Sequence, residues 1–451
     1  MYDEQLGVSE AAQALADRLR ARNATVGIVG MGYVGLPLAI TCAGAGFKVI
    51  GFDINEQRVQ RITAGEQVIN YLDPAAASEA IAKGQFEVTA DFTRLGEPDA
   101  IMICVPTPLT ANRDPDLSFV EATVASIAAA YRPGQLIVLE STTWPGTTRE
   151  IVQPALEAKG GLVGETCFIA FSPEREDPGN HSYSTKTIPK IVGADDAGSL
   201  AAAVALYEQI IVQVVPVSSA AAAEAAKLTE NIFRAVNIAL VNELKVVYDA
   251  MGIDVWEVIN AAATKPFGFK AFYPGPGLGG HCVPIDPFYL TWKAREVGVE
   301  TRFIELAGQV NTAMPKHVVD KLGDALNLRF AKALNGSRVL VLGLAYKADV
   351  DDLRESPSLV LIDLLEARGA VCDYHDPHIP VVPSTREHAS LAGRESVALD
   401  GTLLAGYDAV LVATDHKAVD YALVAEHARL VIDTRNVMER SGIRAAHVTK
   451  A

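Results

Sequence analysis

Cysteine is scarce and scattered, with five residues at 42, 104, 167, 282 and 372 and no C-x-x-C pair. Such spacing disfavours a zinc site and a disulfide framework and fits a reducing cytoplasm; no metal site is expected. No apolar run reaches the ~18 residues needed to cross a bilayer. The opening Met1-Tyr2-Asp3-Glu4-Gln5-Leu6 is acidic and lacks the basic-then-apolar order of a signal peptide, so a chain with neither leader nor membrane span is expected. Bases are outnumbered, 39 against 55 acids, for a formal charge of -16. That excess argues against nucleic acid or an anionic membrane as partner. Any anionic ligand must find its cations locally. Charged residues make up only 21% against 49% hydrophobic, which excludes disorder as the overall state.

What is present is a chain of 451 residues, too long for one ordinary domain of ~100 to 200. From Thr25 to about Val215, short apolar runs alternate with helical segments: Val26 to Val29, Val49 to Phe52, Ala100 to Val105, Leu136 to Glu140 and Cys167 to Phe171. This grammar predicts parallel crossovers and an open α/β sheet, with residues 1 to 22 adding an N-terminal helix. After Pro216 a stretch rich in Ala, Leu, Val, Glu and Lys predicts one long helix, about Ser218 to Ala250, followed by helices at Asp254 to Ala263 and from about Pro287. Strand grammar resumes near Asn335-Gly336 with Arg338 to Leu342, Val371 to Tyr374, Ala409 to Ala413 and Leu430 to Ile432. The expected division is 1–215, 216–330 and 331–451: α/β, helical, α/β.

Gly30-Met31-Gly32-Tyr33-Val34-Gly35 places Gly-x-Gly-x-x-Gly between a strand and a helix candidate. The first glycine allows the tight turn, the second lets a pyrophosphate approach, and the third lets helix and strand pack closely. The next strand ends in Asp53, where an acid accepts hydrogen bonds from the adenosine ribose and repels a 2′-phosphate. NAD is therefore favoured over NADP. Arg58 reads as a solvated helix face, with adenine stacking as the alternative.

A second segment, Tyr273 to Pro287, packs four glycines and four prolines around Cys282. Cys42, Cys104, Cys167 and Cys372 sit in apolar or alanine-rich text and are expected to be small buried hydrophobes. Cys282 differs, because a glycine-rich loop before a helix start is where a thiol pKa falls below its free value of ~8.5. It reads as a nucleophile or as a packing residue, and Asp286 reads as a cap for the helix at Pro287 or as a group aligning water.

These residues together resemble the UDP-glucose/GDP-mannose dehydrogenase family over essentially the whole chain. The series Gly30 to Gly35, Ser141-Thr142-Thr143-Trp144-Pro145-Gly146-Thr147, Ser172-Pro173-Glu174-Arg175, Lys227 to Asn231 and Gly279-Gly280-His281-Cys282 occurs in the family's order. Ser172 to Asn180 and Phe272 to Gly277 are most similar to bacterial members acting on UDP-N-acetylglucosamine.

The resemblance implies two Rossmann-like parallel-sheet domains joined by a long helix and a helical domain, a homodimer or higher homo-oligomer, and NAD and a UDP-sugar as ligands. It implies oxidation of the sugar's 6-hydroxymethyl group to a carboxylate by two NAD+ in succession. Catalytic roles fall to Cys282 as nucleophile, Lys227 and Asn231 as oxyanion partners, Glu174 with Thr142 in thioester hydrolysis, and Asp286 as holder of ordered water. The cofactor set is Gly30, Gly32, Tyr33, Val34, Gly35, Asp53, Arg58, Thr107 and Thr142. The substrate set is Glu174, Arg175, Lys227, Asn231, Tyr273, Gly275, Gly279, Lys347 and Arg435. Arg354 is expected to be structural, tied to Asp351 or Glu355. Rival expectations are the same reaction on UDP-N-acetylgalactosamine, UDP-N-acetylmannosamine or UDP-glucose, a β-hydroxyacid dehydrogenase, and an NAD-binding redox sensor without turnover.

Overall fold

The computed structural model describes residues 7–69, 72–110, 114–175, 186–280, 283–385 and 388–451. The chain divides into two compact units: Met1–Glu230 with Phe288–Val299, and Asn231–Pro287 with Glu300–Ala451.

In the first unit the alternating runs become β1 (Thr25–Val29), β2 (Lys48–Phe52), β3 (Phe86–Thr89), β4 (Ala100–Ile103), β5 (Gln135–Leu139), β6 (Cys167–Phe171), β7 (Lys190–Gly193) and β8 (Val214–Val217). Their order across the sheet is β3-β2-β1-β4-β5-β6-β7-β8, parallel except where β6 meets β7. Helices cover both faces of such a sheet, so every residue of its inner strands β4, β5 and β6 is buried, and all but Gln135 are apolar. The chain reverses direction of growth between β1 and β4. Ligands of open sheets collect at that switch point, outside the carboxyl ends of the strands. The predicted N-terminal helix runs Glu10–Arg20, started by the Ser9 hydroxyl accepting the N–H of Ala12, with Ala12, Leu15, Ala16 and Leu19 buried.

The helix Ala220–Met251 matches the predicted long helix to within two residues. In the second unit it is joined by Val255–Ala263 and by Arg302–Phe330, a 29-residue helix with Pro315 inside it. The sheet of this unit holds β9 (Arg338–Leu342), β10 (Val371–His375), β11 (Ala409–Val412), β12 (Val431–Asp433) and β13 (Val448–Lys450), all parallel, in the order β10-β9-β11-β12-β13. Here the switch point lies between β9 and β11. Among the described residues no helix is long and apolar enough to cross a membrane.

Candidate functional site

The glycine turn after β1 has the geometry a dinucleotide requires. Gly30 has φ +96°, and its N–H reaches the Phe52 carbonyl at 2.7 Å. A Cβ on Gly35 would lie 1.8 Å from the Gly30 carbonyl oxygen, so only glycine lets the following helix start there. A Cβ on Gly32 would meet nothing within 4 Å, which leaves room for a phosphate group. Beside the turn is a cavity of about 230 Å³ whose walls include Gly32, Tyr33, Asn55, Arg58 and Arg61. Asp53 is buried at the end of β2; its carboxylate accepts the N–H groups of Met31 at 2.9 Å and Asn55 at 2.8 Å. These residues fit the adenosine half of NAD.

Arg58 departs from the solvated role its position suggests. Its guanidinium lies 3.0 Å from the Asp53 carboxylate and lines the cavity. The two side chains form one ion pair beside the glycine turn, and that sets an expectation. Asp53→Ala removes the anion that repels a 2′-phosphate and frees Arg58 to attract one. The kcat/KM preference for NAD+ over NADP+ should fall about tenfold or more, equivalent to ~1.4 kcal/mol. Initial rates with both cofactors check this; an unchanged ratio would mean Asp53 does not read the ribose.

At the carboxyl ends of β4 to β6, beside the start of the antiparallel β7, the same unit gathers a charged cluster. Ser141 donates to the Val105 carbonyl at 2.7 Å and so fixes the segment carrying Thr142, which is half-buried. Thr107 accepts the Tyr289 hydroxyl at its main-chain carbonyl, 3.0 Å away. Glu174 follows β6, where Ser172 is tied to the Ile191 carbonyl at 2.8 Å. Its carboxylate takes the Arg175 N–H at 2.7 Å and the Lys190 ammonium at 3.2 Å. Lys227, only 8% exposed, donates its Nζ to the main-chain carbonyl of Glu174. The Arg175 guanidinium pairs with Glu230 at 2.6 Å and donates to the Pro189 carbonyl, so it does not ion-pair with Glu174. Lys190, Glu140 and Glu224 are buried charges that the sequence reading does not single out. Glu224 receives the N–H groups of Gly146 and Thr148 and anchors the start of the long helix to the loop after β5. Burial raises its pKa, opposed by the Thr148 hydroxyl.

In the second unit Asn231 and Asp286 are both buried and joined, the Asn231 amide donating to the Asp286 carboxylate at 2.5 Å. Asp286 is the first residue of the helix Asp286–Glu296, and its carboxylate orients Asn231. Gly275 lies directly under Arg435: a Cβ there would be 2.7 Å from the guanidinium. Arg435 follows β12 and donates to the Ala413 carbonyl, at the β9/β11 switch point. Burial pulls its pKa below the usual arginine value. Lys347 is half-buried in the turn after β9, and Gly279 packs on Tyr346. Tyr273 is exposed and bonds to Asn260 at 2.9 Å. Arg354 pairs with Asp352 at 2.6 Å, a partner not among those expected from the sequence. Cys282 and His281 lie outside the described residues.

The turn after β9 echoes the one after β1. Gly343 has φ +83° and the acid after β10, Asp376, accepts the N–H groups of Leu344 and Ala345. Ala345 stands where the first turn has Gly32, and His416 Nε2 lies 3.0 Å from Asp376. Asp349, His378 and His416 bring three potential metal-ligand atoms within 4.8 Å of one another. Both ring nitrogens of His416 are engaged, Nδ1 by the Asp349 N–H and Nε2 by Asp376, which makes the cluster a hydrogen-bonded anchor for this turn.

Of the remaining cysteines, Cys42, Cys167 and Cys372 are buried and Cys104 is half-buried. Burial pushes the Cys167 and Cys372 thiols up to about 12, which suits packing residues and not nucleophiles.

A glycine turn at a switch point, an acid at the end of the next strand and a second α/β unit with basic residues at its own switch point define a nucleotide-binding protein of the dinucleotide type. Residues 24–211 match the NAD binding domain of the UDP-glucose/GDP-mannose dehydrogenase family, residues 221–313 its central domain and residues 340–440 its UDP binding domain. The chain belongs to that family and is an NAD-dependent UDP-sugar dehydrogenase. It is 35% identical over 437 residues to the NDP-N-acetyl-D-galactosaminuronic acid dehydrogenase of Ralstonia nicotianae, covering 93% of this chain and 98% of that one. It is 34% identical over 394 residues to the UDP-N-acetyl-D-glucosamine 6-dehydrogenase of Pseudomonas aeruginosa, covering 87% and 90%. The solved structure of the UDP-D-ManNAc dehydrogenase from Pyrococcus horikoshii superposes with a TM-score of 0.84 at 29% identity, covering 94% and 98%. Membership sets aside the sensor without turnover, and the UDP binding domain sets aside the β-hydroxyacid dehydrogenases.

Proposed function

We propose that the chain oxidises the C6 hydroxymethyl group of a UDP-N-acetylhexosamine, UDP-N-acetyl-D-glucosamine foremost, to the uronate. The observation that supports this reading most is the junction of Lys227 with Glu174, which sets a buried cation beside the loop that carries the Glu174 carboxylate. NAD+, when bound, supplies the hydride acceptor for each of the two oxidations. Cys282 attacks the aldehyde carbon to give a thiohemiacetal, whose oxidation leaves a thioester that water then cleaves. Lys227 and Asn231 meet the charge that builds on oxygen at each tetrahedral stage, with Asp286 holding Asn231 in place. Glu174, with Thr142 as companion, handles the water. Lys347 and Arg435 take the nucleotide end, two cations at the carboxyl ends of β9 and β12.

A cytoplasmic homodimer supplying uronic acid for surface polysaccharide completes the proposal, with 1–215, 216–330 and 331–451 as cofactor, dimerisation and UDP-sugar regions. Phe233, Leu240 and Val247 recur every seven residues on the long helix and are 48%, 53% and 45% exposed, a stripe suited to a dimer seam.

The substrate is tested by a panel of UDP-glucose and UDP-N-acetyl-D-glucosamine, -galactosamine and -mannosamine, scored by NADH yield and product mass. UDP-N-acetyl-D-glucosamine is expected to give the highest kcat/KM, and preference for UDP-glucose would overturn the N-acetylhexosamine assignment.

A further inference from the structure

The first unit holds a buried ion pair that none of these roles uses. Lys190 opens β7 and Glu140 follows β5; their side chains are 4% and 0% exposed and stand 2.7 Å apart. Glu140 also accepts the hydroxyl of Tyr207, itself fully buried, and the Lys190 ammonium lies 5.5 Å from the centre of the Tyr207 ring. Charges this deep are retained only when paired and hydrogen-bonded. Burial works against the Lys190 ammonium, but the Glu140 and Glu174 carboxylates more than offset it and hold its pKa above the usual lysine value. Burial likewise raises Glu140. A purely structural pair would end there. Lys190 instead extends a further contact to Glu174 Oε2 at 3.2 Å, while Glu174 Oε1 takes the Arg175 N–H. Glu174 Oε2 is therefore held from the sheet, and Oε1 by the main chain of the loop itself.

We propose that Lys190, locked by Glu140 and Tyr207, is a positioning residue for Glu174 that keeps its carboxylate ionised and oriented for thioester hydrolysis. The proposal rests on Glu174 being the group that handles water. In that step the water oxygen bonds to the thioester carbon, the C–S bond breaks, sulfur leaves as the Cys282 thiolate, and the water proton passes to the Glu174 carboxylate. A protonated Glu174 accepts no proton, so hydrolysis slows as pH falls. Among the described residues, the groups facing Glu174 include Lys190 from β7, Glu140 from the end of β5, Cys104 from the end of β4 and Lys227 from the long helix, whose Nζ engages the main-chain carbonyl. Lys190 favours the anion, and Glu140 opposes it as a like charge.

The two members of the pair must then shift the acid limb of the kcat profile in opposite directions. Full-length enzyme is assayed with NAD+ and the UDP-N-acetylhexosamine turned over fastest in the panel, and acid-quenched protein is weighed by mass spectrometry. Glu140→Gln/Lys190→Met, which removes the cation without stranding a buried anion, should raise the acid limb by about one pH unit and accumulate the uronyl-enzyme adduct at pH 6. Glu140→Gln alone leaves Lys190 to Glu174 and should lower the limb by a few tenths of a unit, with KM unchanged. This single variant keeps the proposal testable if the double variant does not fold. Glu174→Gln, the control for the underlying reading, should accumulate the adduct at every pH. An adduct in Glu174→Gln with an unmoved or upward-moving limb in Glu140→Gln overturns the role of Lys190. No adduct in Glu174→Gln overturns the water-handling role of Glu174, and the proposal with it.

Discussion

Cys282→Ala should abolish uronate formation, by on the order of 10³-fold or more, and leave NAD+ affinity unchanged. An alcohol carbon carries a hydride that NAD+ can remove directly. The resulting aldehyde does not, until a nucleophile makes its carbon tetrahedral, and a thiolate is the side chain best suited to that task near neutral pH. Alanine removes this nucleophile while leaving the glycine turn, Asp53 and the cavity beside them untouched. Product mass after exhaustive incubation, together with NAD+ titration by calorimetry, checks both halves of the statement. Carboxylate production within a few-fold of the parent enzyme would exclude a covalent thioester.

Lys227→Met should lower kcat by on the order of 10² to 10³-fold, the range seen when one oxyanion donor is removed, or about 3 to 4 kcal/mol of barrier. Methionine keeps the length and apolar stem of a side chain that is only 8% exposed, so packing on the helix Ala220–Met251 is largely retained. What is lost is a cation near oxygen charge that exists mainly at the tetrahedral stages, together with the hydrogen bond to the Glu174 carbonyl. Steady-state kinetics separates these from simple binding: the fall should appear in kcat. A change confined to KM would assign Lys227 to ground-state binding of the sugar nucleotide.

How much of this was legible depended on how local each signal is. The runs that became β1, β2, β4, β5 and β6 are covered on both faces, and their continuous apolar text betrays them within a residue or two. β3 is half-polar, β7 opens with Lys190 and β8 carries Pro216, so none shows that run. The long helix was readable because Ala220 to Met251 contains neither glycine nor proline, whereas Pro315 disguised Arg302–Phe330. The Gly30 to Gly35 turn is a contiguous device and could be assigned residue by residue. The Arg58–Asp53 pair is only five residues apart, but a helix face facing a cavity looks in sequence like one facing water. Glu140, Lys190 and Tyr207 are separated by 50 and 67 residues and meet only through the strand order. Their one local trace is charge at the border of an apolar run. The resemblance reached Lys227 and Glu174, which spacing alone would assign to a solvated helix face and a local ion pair.

The central claim is a four-electron oxidation completed on one enzyme, and counting NADH tests it most directly. With the substrate preferred in the panel, at limiting concentration and excess NAD+, NADH absorbance at the end point is divided by the uronate weighed as product. The mechanism predicts two NADH per substrate consumed, with every product molecule a carboxylate. One NADH per substrate, with aldehyde as the product, would contradict it.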